Sequence, residues 1–247
     1  MTSRLVHFWR LLKWGRTLAR HGALLGLERN ATTPAAFRRI ARIARFGAFL
    51  PAKPDYAGAF EKIGPAAVKL GQTLATRPDL VGEVAAHDLL RLQDTLAPLP
   101  FDKVRAAIEQ SLDAPIETLF SSIDPEPVGS ASIAQVHKAI TTDGRTVAVK
   151  VLRPGIDEKF NSDIDTYEWI AAHAAARGGE LERLRPREVI ATFRQWTLRE
   201  LDLRREAAAA SELASMMSAE DGYFVPAIDW KRTSRRVMTL DWIDGIK

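Results

Sequence analysis

The sequence contains no cysteine among its 247 residues. This absence excludes disulfide bonds and zinc sites built from thiolates, and it fits a reducing compartment. Long apolar runs are also missing, because charged residues interrupt each one before the roughly 18 residues that a membrane-spanning helix needs. Since 46% of the residues are hydrophobic, the chain still has ample material for a core. We therefore expect a globular protein without a membrane span.

Acidic residues are scarce at the N-terminus, where Glu28 is the only acid before Lys53. Arg10 and Lys13 break the apolar run that a secretory signal would need, so we expect no signal peptide. Basic residues alternate with Phe8, Trp9 and other apolar side chains, as in helices that lie on an anionic membrane surface. The alternative is a solvated helix packed on the rest of the protein. Nucleic-acid binding has no recognition motif to support it and is not expected.

Prolines and β-branched residues divide the rest of the chain into elements. From Pro34 to about Pro100 the pattern is helical, with prolines at the predicted first turns. Residues 125–152 predict a β-hairpin whose two-residue turn is Asp143–Gly144.

Two long helices are predicted next, Glu158 to Arg177 and Glu188 to Met217. Strands follow at Phe224 to Trp230 and Arg235 to Ile243, so a second antiparallel pair should join the first hairpin. The expected fold is α+β: a helical extension followed by a small antiparallel sheet with long inserted helices.

Small residues at the start of the hairpin have the spacing of a kinase glycine-rich loop, G-x-G-x-x-G-x-V, with alanine at the second and third glycine positions. The residues expected to approach a nucleotide there are Gly129, Ser130, Ala131, Ser132, Ile133, Ala134 and Val136. Fourteen residues after Val136 stands Lys150 in Val-Ala-Val-Lys, the pattern of the strand lysine that contacts the α- and β-phosphates. Ala148 belongs to the same pattern. Without the loop, Lys150 would be an ordinary surface lysine.

The last predicted strand resembles the hinge of a kinase, where adenine binds. By that resemblance Leu240 is the gatekeeper, and the carbonyl of Asp241 and the amide of Ile243 face the adenine edge. The same residues also fit an edge strand that ends in an Asp-Gly turn.

A kinase holds its lysine with a carboxylate from a helix, and two glutamates compete for this role. Glu168 follows Lys150 by 18 residues, close to the ordinary kinase separation, whereas Glu206 follows it by 56. Spacing alone favours Glu168.

Further motifs make the chain similar to the UbiB family of atypical kinases or ATPases that support ubiquinone biosynthesis. The motifs are K-x-G-Q at Lys69 to Gln72, E-x-D at Glu200 to Asp202, Ser130 to His137, and Val151 to Gly155. The resemblance implies that Glu206, not Glu168, pairs with Lys150. It also implies that Lys69 and Gln72 lie on a lid that meets Glu200 and Asp202 and excludes protein substrates.

The spacing is consistent with these roles. Lys69 and Gln72, at i and i+3, share one helix face, and Asp202 and Glu206, at i and i+4, share another, with Glu200 pointing elsewhere around that helix. The predicted segments are a basic N-terminal segment (1–53), a helical extension carrying K-x-G-Q (54–122) and a kinase-like N-lobe ending at the hinge (123–247).

The resemblance implies ATP or ADP as the ligand, with Mg²⁺ bound only when a C-lobe supplies its ligands; the chain itself is expected to hold no metal. No H-R-D-like or D-F-G sequence occurs in it, so we expect no turnover from these residues alone. Partners would be a nucleotide, an anionic membrane surface, and ubiquinone-biosynthesis proteins or lipid intermediates. The expected place is cytoplasmic, peripheral to the inner membrane. The alternative function is a noncatalytic helical scaffold that binds a membrane or a partner.

Overall fold

The computed structural model describes residues 4–25, 39, 42–44, 51, 53–93, 97–176, 185–217 and 222–245. The chain forms two compact units, each built from two stretches of sequence. The first comprises Met1–Asp94 and Glu158–Ala191, and the second comprises Thr95–Asp157 and Thr192–Lys247. The three segments predicted from the sequence stay predictions.

The structure combines helices with a small antiparallel sheet, so the predicted α+β class is confirmed. In chain order the elements are α1 (Arg4–Arg20), α2 (Tyr56–Ile63), α3 (Pro65–Ala75), α4 (Pro78–Val81), α5 (Glu83–Leu89), a 3₁₀ turn (Leu90–Gln93), α6 (Phe101–Leu112), α7 (Ile116–Leu119), β1 (Phe120–Ile123), β2 (Gly129–Ser130), β3 (Ala134–Thr141), β4 (Thr146–Leu152), α8 (Ile156–Ala175), α9 (Pro186–Glu200), α10 (Leu203–Met217), a 3₁₀ turn (Trp230–Arg232) and β5 (Val237–Asp241).

Short helices form the core of the first unit, and the sequence explains where they begin. Asp55 caps α2, its carboxylate accepting a hydrogen bond from the Gly58 amide. Pro65 and Pro78 stand at the first turns of α3 and α4, as predicted, where the missing N–H costs no helical hydrogen bond. The buried core of this unit contains a cluster of small and branched side chains: Ala57, Val68, Ala75, Leu89 and Leu92.

Helix α1 packs on α8 through polar and aromatic side chains. The Arg10 guanidinium donates to the hydroxyl of Thr166 at 3.0 Å and also to Ser162. His7 is buried and bonds the same Thr166 hydroxyl at 3.0 Å. Burial raises the pKa of the neighbouring Asp163 carboxyl to about 6, although Arg10 acts against the shift. The basic N-terminal helix thus has one face fixed to its own unit.

The second unit is built on an antiparallel sheet in the order β1-β3-β4-β5, with the short β2 also paired to β3. Strand alternation directs Val147, Val149 and Val151 to one face, where they are buried together with Val104 and Ile108 of α6. The other face of β4 carries the even-numbered residues. The hairpin predicted over residues 125–152 is confirmed in β3 and β4.

The turn of this hairpin is displaced from its predicted position. The Gly144 amide donates to the Thr141 carbonyl at 2.9 Å, so the central residues are Thr142 and Asp143. Gly144 follows the turn with φ of 85°, a left-handed conformation that glycine adopts without a steric penalty. The predicted two-residue turn at Asp143–Gly144 is therefore wrong by one position.

The predicted helix from Glu188 to Met217 is also wrong as a single element, because the chain leaves the helix between α9 and α10. Leu201 and Leu203 are both fully buried there, and the Leu203 amide donates to the Arg235 carbonyl at 2.9 Å. Local helix propensity favours a continuous helix here, but the burial of the two leucines in the tertiary structure overrides it.

Only part of the second predicted strand pair forms. Residues 224–230 make an isolated bridge, Ile228 to Leu240, and then enter a 3₁₀ turn instead of a strand. The Asp229 carboxylate accepts from the Lys231 amide and from Arg232, and such local bonds compete with a strand ladder. The strand β1 begins at Phe120, beyond the helical pattern that was predicted to end at about Pro100.

Among the described residues, no helix is both long and apolar enough to cross a bilayer.

We predict that Gly71→Ala destabilises the first unit by about 1–3 kcal/mol, because a packed interior must move to admit the methyl group. A Cβ at Gly71 would lie 2.4 Å from Leu92 Cδ1 and 2.8 Å from Phe60 Cδ1. Denaturant unfolding measures the change.

Gly15→Ala is the matched control, since its Cβ would meet only ordinary contact with Ala44 at 3.5 Å. It lies within α1, where replacing glycine by alanine should stabilise the helix by about 0.5–1 kcal/mol. Equal effects of the two changes would show that Gly71 is not packed as described.

Candidate functional site

The candidate site is centred on Lys150, whose ammonium group forms an ion pair with a helix carboxylate. Its Nζ lies 2.7 Å from both carboxylate oxygens of Glu206, in the first turn of α10. The side chains are 25% and 50% exposed, so the pair adds no more than about 1 kcal/mol to stability. What the pair fixes is the direction of the lysine side chain.

The structure thus brings Lys150 and Glu206 together, as the family resemblance implied and spacing did not. Glu168 lies on α8, which belongs to the first unit from residue 158 onwards. The 56-residue separation between lysine and glutamate accommodates the intervening α8 and α9. The catalytic roles of the pair stay predictions.

Strand register places three of the predicted nucleotide contacts, Val136, Ala148 and Leu240, on the same face of the sheet as Lys150. Lys150 pairs with Val136 in β3, and Ala148 pairs with Leu240 in β5. All four side chains are only half-buried, whereas the residues between them on β4 are buried in the α6 core. The face is therefore apolar and partly open next to the lysine, which is the setting that a flat aromatic ring requires.

The loop of small residues, 129–134, is called here the alanine loop. Gly129 and Ser130 pair with Val136 and Gln135, so Gly129, Val136 and Lys150 lie in one row across three strands. The loop closes through the Ala131 amide, which donates to the Ala134 carbonyl at 2.8 Å. Ser132 and Ile133 lie at its tip.

The predicted hinge is held by main-chain and side-chain contacts. The Asp241 amide donates to the Ala227 carbonyl at 3.0 Å, and its carboxylate accepts from Arg145 at 3.4 Å. Trp242 lies beneath Lys138, whose Nζ is 4.6 Å from the indole centroid. Ile243 is 45% exposed. Adenine contacts by Asp241 and Ile243 stay predictions.

The two acids of E-x-D do not share a helix with Glu206. Glu200 ends α9, while Asp202 precedes α10 and accepts hydrogen bonds from the Arg204 amide at 3.2 Å and from its guanidinium at 2.9 Å. These bonds from Arg204 lower the pKa of the Asp202 carboxyl. The expectation that Asp202 and Glu206 occupy one face of a continuous helix is wrong, because the helix breaks between them.

The K-x-G-Q motif lies on α3 of the first unit, where Gly71 and Gln72 contribute to packing and hydrogen bonding within that unit. The Gln72 side-chain amide donates to the Leu92 carbonyl at 2.9 Å. Gly71 allows Leu92 and Phe60 to approach the helix closely. Lys69 is half-buried. Since Glu200 and Asp202 belong to the second unit, the predicted meeting of these motifs stays a prediction.

Arg153 is a residue at the site to which the sequence analysis gave no role. Its guanidinium donates to the Ala131 carbonyl at 3.0 Å and to the Ser130 hydroxyl at 2.8 Å, so it contacts the alanine loop directly. The available signal was a cation three residues after Lys150, next to Pro154 and Gly155.

Comparisons with known proteins show the family of this chain. A model of the ABC1 atypical kinase-like domain matches residues 91–247. The probable protein kinase UbiB of Marinobacter nauticus is 42% identical over 188 residues, 76% of this chain and 34% of that protein. Its counterpart in Xylella fastidiosa strain M23 is 39% identical over the same shares. The chain thus spans about a third of the length of these curated relatives.

A solved structure is also similar to this chain. The complex of Rv3197 with erythromycin from Mycobacterium tuberculosis has a TM-score of 0.52 and 33% identity, covering 74% of this chain and 46% of that one. Because the family match includes more than half of its residues, the chain belongs to the ABC1 atypical kinase-like family, with UbiB proteins among its curated relatives.

Proposed function

We propose that the second unit binds an adenine nucleotide, ATP or ADP, as part of an atypical kinase or ATPase that supports ubiquinone biosynthesis. The observation that carries the proposal is the bidentate contact between Lys150 and Glu206 beside the alanine loop. Kinases hold their phosphate-binding lysine in this manner, on a strand next to the phosphate loop and paired with a helix glutamate. The ABC1 match over residues 91–247 supports the same function.

In this proposal, different residues of the sheet bind different parts of the nucleotide. Lys150 contacts the α- and β-phosphates, and amides of the alanine loop approach the same oxygens. The half-buried side chains of Val136, Ala148 and Leu240 cover the adenine ring. The main chain of Asp241 and Ile243 recognises its edge. Magnesium ligands of the kinase type belong to a catalytic loop and a D-F-G segment, neither of which occurs in this sequence.

The remaining signature residues keep the tasks that the family resemblance implies. Lys69 and Gln72, with Glu200 and Asp202, form a lid that excludes peptide substrates. A lipid intermediate or another ubiquinone-biosynthesis protein is the proposed partner, at the cytoplasmic side of the inner membrane.

We predict that Lys150→Ala weakens ADP binding by about 10- to 100-fold, since a charged hydrogen bond to phosphate contributes about 1.5–3 kcal/mol. Glu206→Gln should weaken it by a smaller factor, because the lysine stays but loses its fixed direction. Titration calorimetry of the purified chain with ADP measures both.

Glu168→Gln is the control and should leave the dissociation constant unchanged. Equal losses for Glu206→Gln and Glu168→Gln would contradict the assignment of the ion pair. Erythromycin, the ligand named for the mycobacterial relative, serves as a comparison ligand in the same titration.

We also predict that the 247-residue chain binds nucleotide without turning it over. Phosphoryl transfer requires an aspartate near the attacking group and ligands for magnesium, and the sequence lacks both motifs. A phosphate-release assay with ATP and Mg²⁺ should give the rate of the buffer alone. Magnesium-dependent hydrolysis that Lys150→Ala abolishes would contradict the prediction.

Binding to an anionic membrane surface is a second candidate function, favoured by the outer face of α1. Leu5, Phe8, Trp9 and Leu12 follow i, i+3, i+4, i+7 spacing and are 69%, 55%, 64% and 38% exposed. Lys13 and other exposed cations accompany this stripe, while His7 and Trp14 fix the opposite face to the unit. Apolar side chains with cations beside them match the boundary between acyl chains and acidic headgroups.

We predict that replacing both Phe8 and Trp9 by glutamate lowers binding to vesicles rich in phosphatidylglycerol by at least about tenfold, since each buried aromatic contributes about 1.5–3 kcal/mol. Vesicle sedimentation measures the bound fraction. Trp196→Glu is the control, because Trp196 is similarly exposed, at 56%, on a different helix. Equal losses for both variants, or binding to neutral vesicles unchanged by salt, would contradict this function.

A further inference from the structure

Arg153 connects three segments of the second unit around the alanine loop. Its guanidinium donates to the Ala131 carbonyl, to the Ser130 hydroxyl and, at 3.0 Å, to the Ala97 carbonyl. Its main-chain amide donates to the Ile133 carbonyl at 2.8 Å. One residue thus contacts the alanine loop twice, at Ser130 and Ala131 through its side chain and at Ile133 through its backbone amide.

These contacts determine which way the peptide groups of the loop face. In a trans peptide the carbonyl and the following N–H point in opposite directions, and the described residues contain no cis peptide. Because the Ala131 carbonyl is directed to Arg153, the Ser132 amide is directed away from it. Amides that project from the tip of such a loop are the groups that bind phosphate oxygens.

The hydrogen bond to the Ala97 carbonyl fixes the Arg153 side chain to another segment of the unit. Ala97 lies just before Leu99, whose amide donates to the Gln135 side-chain carbonyl at 2.7 Å, and Gln135 is buried at the start of β3. The segment 97–99 is therefore held from β3 on one side and by Arg153 on the other. Its position supports the guanidinium against the loop.

The positive charge of Arg153 is placed where it favours a polyphosphate. Among the described residues, its side chain donates hydrogen bonds to two carbonyls and a hydroxyl, which are neutral groups and do not cancel its charge. Burial lowers the pKa of its guanidinium, yet arginine stays protonated at physiological pH. The loop thus receives a fixed positive charge in addition to that of Lys150.

We propose that Arg153 is a positioning residue for the nucleotide phosphates: it orients the amides of the alanine loop and adds positive potential at its tip. This inference rests on the proposed nucleotide-binding function and adds a residue outside the kinase-like lysine and glutamate pair. Because adenosine has no phosphate, its binding affinity should not depend on Arg153.

The test compares the binding affinities of ADP and adenosine in the variant Arg153→Lys. Lysine keeps the positive charge but cannot make the three hydrogen bonds of the planar guanidinium. We expect ADP affinity to fall by about tenfold, as lost charge-assisted contacts imply, and adenosine affinity to stay constant. Hydrogen exchange of the amides of Ser132 and Ile133, measured without nucleotide, should become faster. Ser130→Ala removes a single partner of Arg153 and should give a smaller change in the same direction.

Arg232→Lys is the matched control. Arg232 also donates to several partners, among them the Leu119 carbonyl and Asp229, and none of its hydrogen bonds within the described part of the chain is to the alanine loop. It should leave the ratio of ADP to adenosine affinity unchanged. The inference is overturned if Arg153→Lys leaves loop exchange unchanged or weakens ADP and adenosine equally.

Failure of the proposed function has a different signature. If the unaltered chain binds neither ATP nor ADP, nucleotide binding is wrong and the phosphate role of Arg153 falls with it. If the chain binds ADP but Arg153→Lys acts like Arg232→Lys, nucleotide binding stands and only the role of Arg153 is wrong.

Discussion

The pairing of β3 with β4 is the constraint on which the site depends. In the observed register Val136 lies opposite Lys150, and Ala134, at the end of the alanine loop, lies opposite Leu152. A slip of one residue would turn Lys150 toward α6 and place a valine on the open face. Three valines buried against α6 oppose such a slip, because each would have to leave the core. Core packing on one face therefore fixes the chemistry on the other.

The strand pairing of the hairpin could be predicted from the sequence because its contacts are local. Period-two alternation and the distance from Val136 to Lys150 determine a strand pair and its faces with little help from the rest of the chain. The turn was misplaced by one residue, since Asp-Gly is compatible both with a two-residue turn and with glycine just after the turn. Pairing at the centre of the hairpin was unaffected by that difference.

The partner of the lysine could not be derived in this way. Glu206 comes from a helix that follows two others, and separation along the chain contains no information about which helix returns to the sheet. Spacing favoured Glu168, whereas the family motifs favoured Glu206. The break between α9 and α10 was missed for a related reason: Leu201 and Leu203 fit a helical pattern, and only their burial and the bond to Arg235 end it.

Signature motifs in this chain combine packing with chemistry, and the contacts separate the two. In K-x-G-Q, glycine lets Leu92 approach and glutamine bonds the Leu92 carbonyl, so two of the motif's residues are explained by the fold of their own unit. A motif residue thus becomes evidence for chemistry only after its structural contacts are known.

The alanine loop shows how such contacts change the meaning of a sequence difference. Alanine in place of glycine suggests a defective phosphate loop, because a Cβ disfavours positive φ. In the described residues, however, positive φ outside glycine occurs at Asp113 and Arg185, so Ala131 and Ala134 adopt ordinary backbone angles. The loop therefore has a conformation that does not require glycine. Its amides are directed instead by an arginine that holds the neighbouring carbonyls.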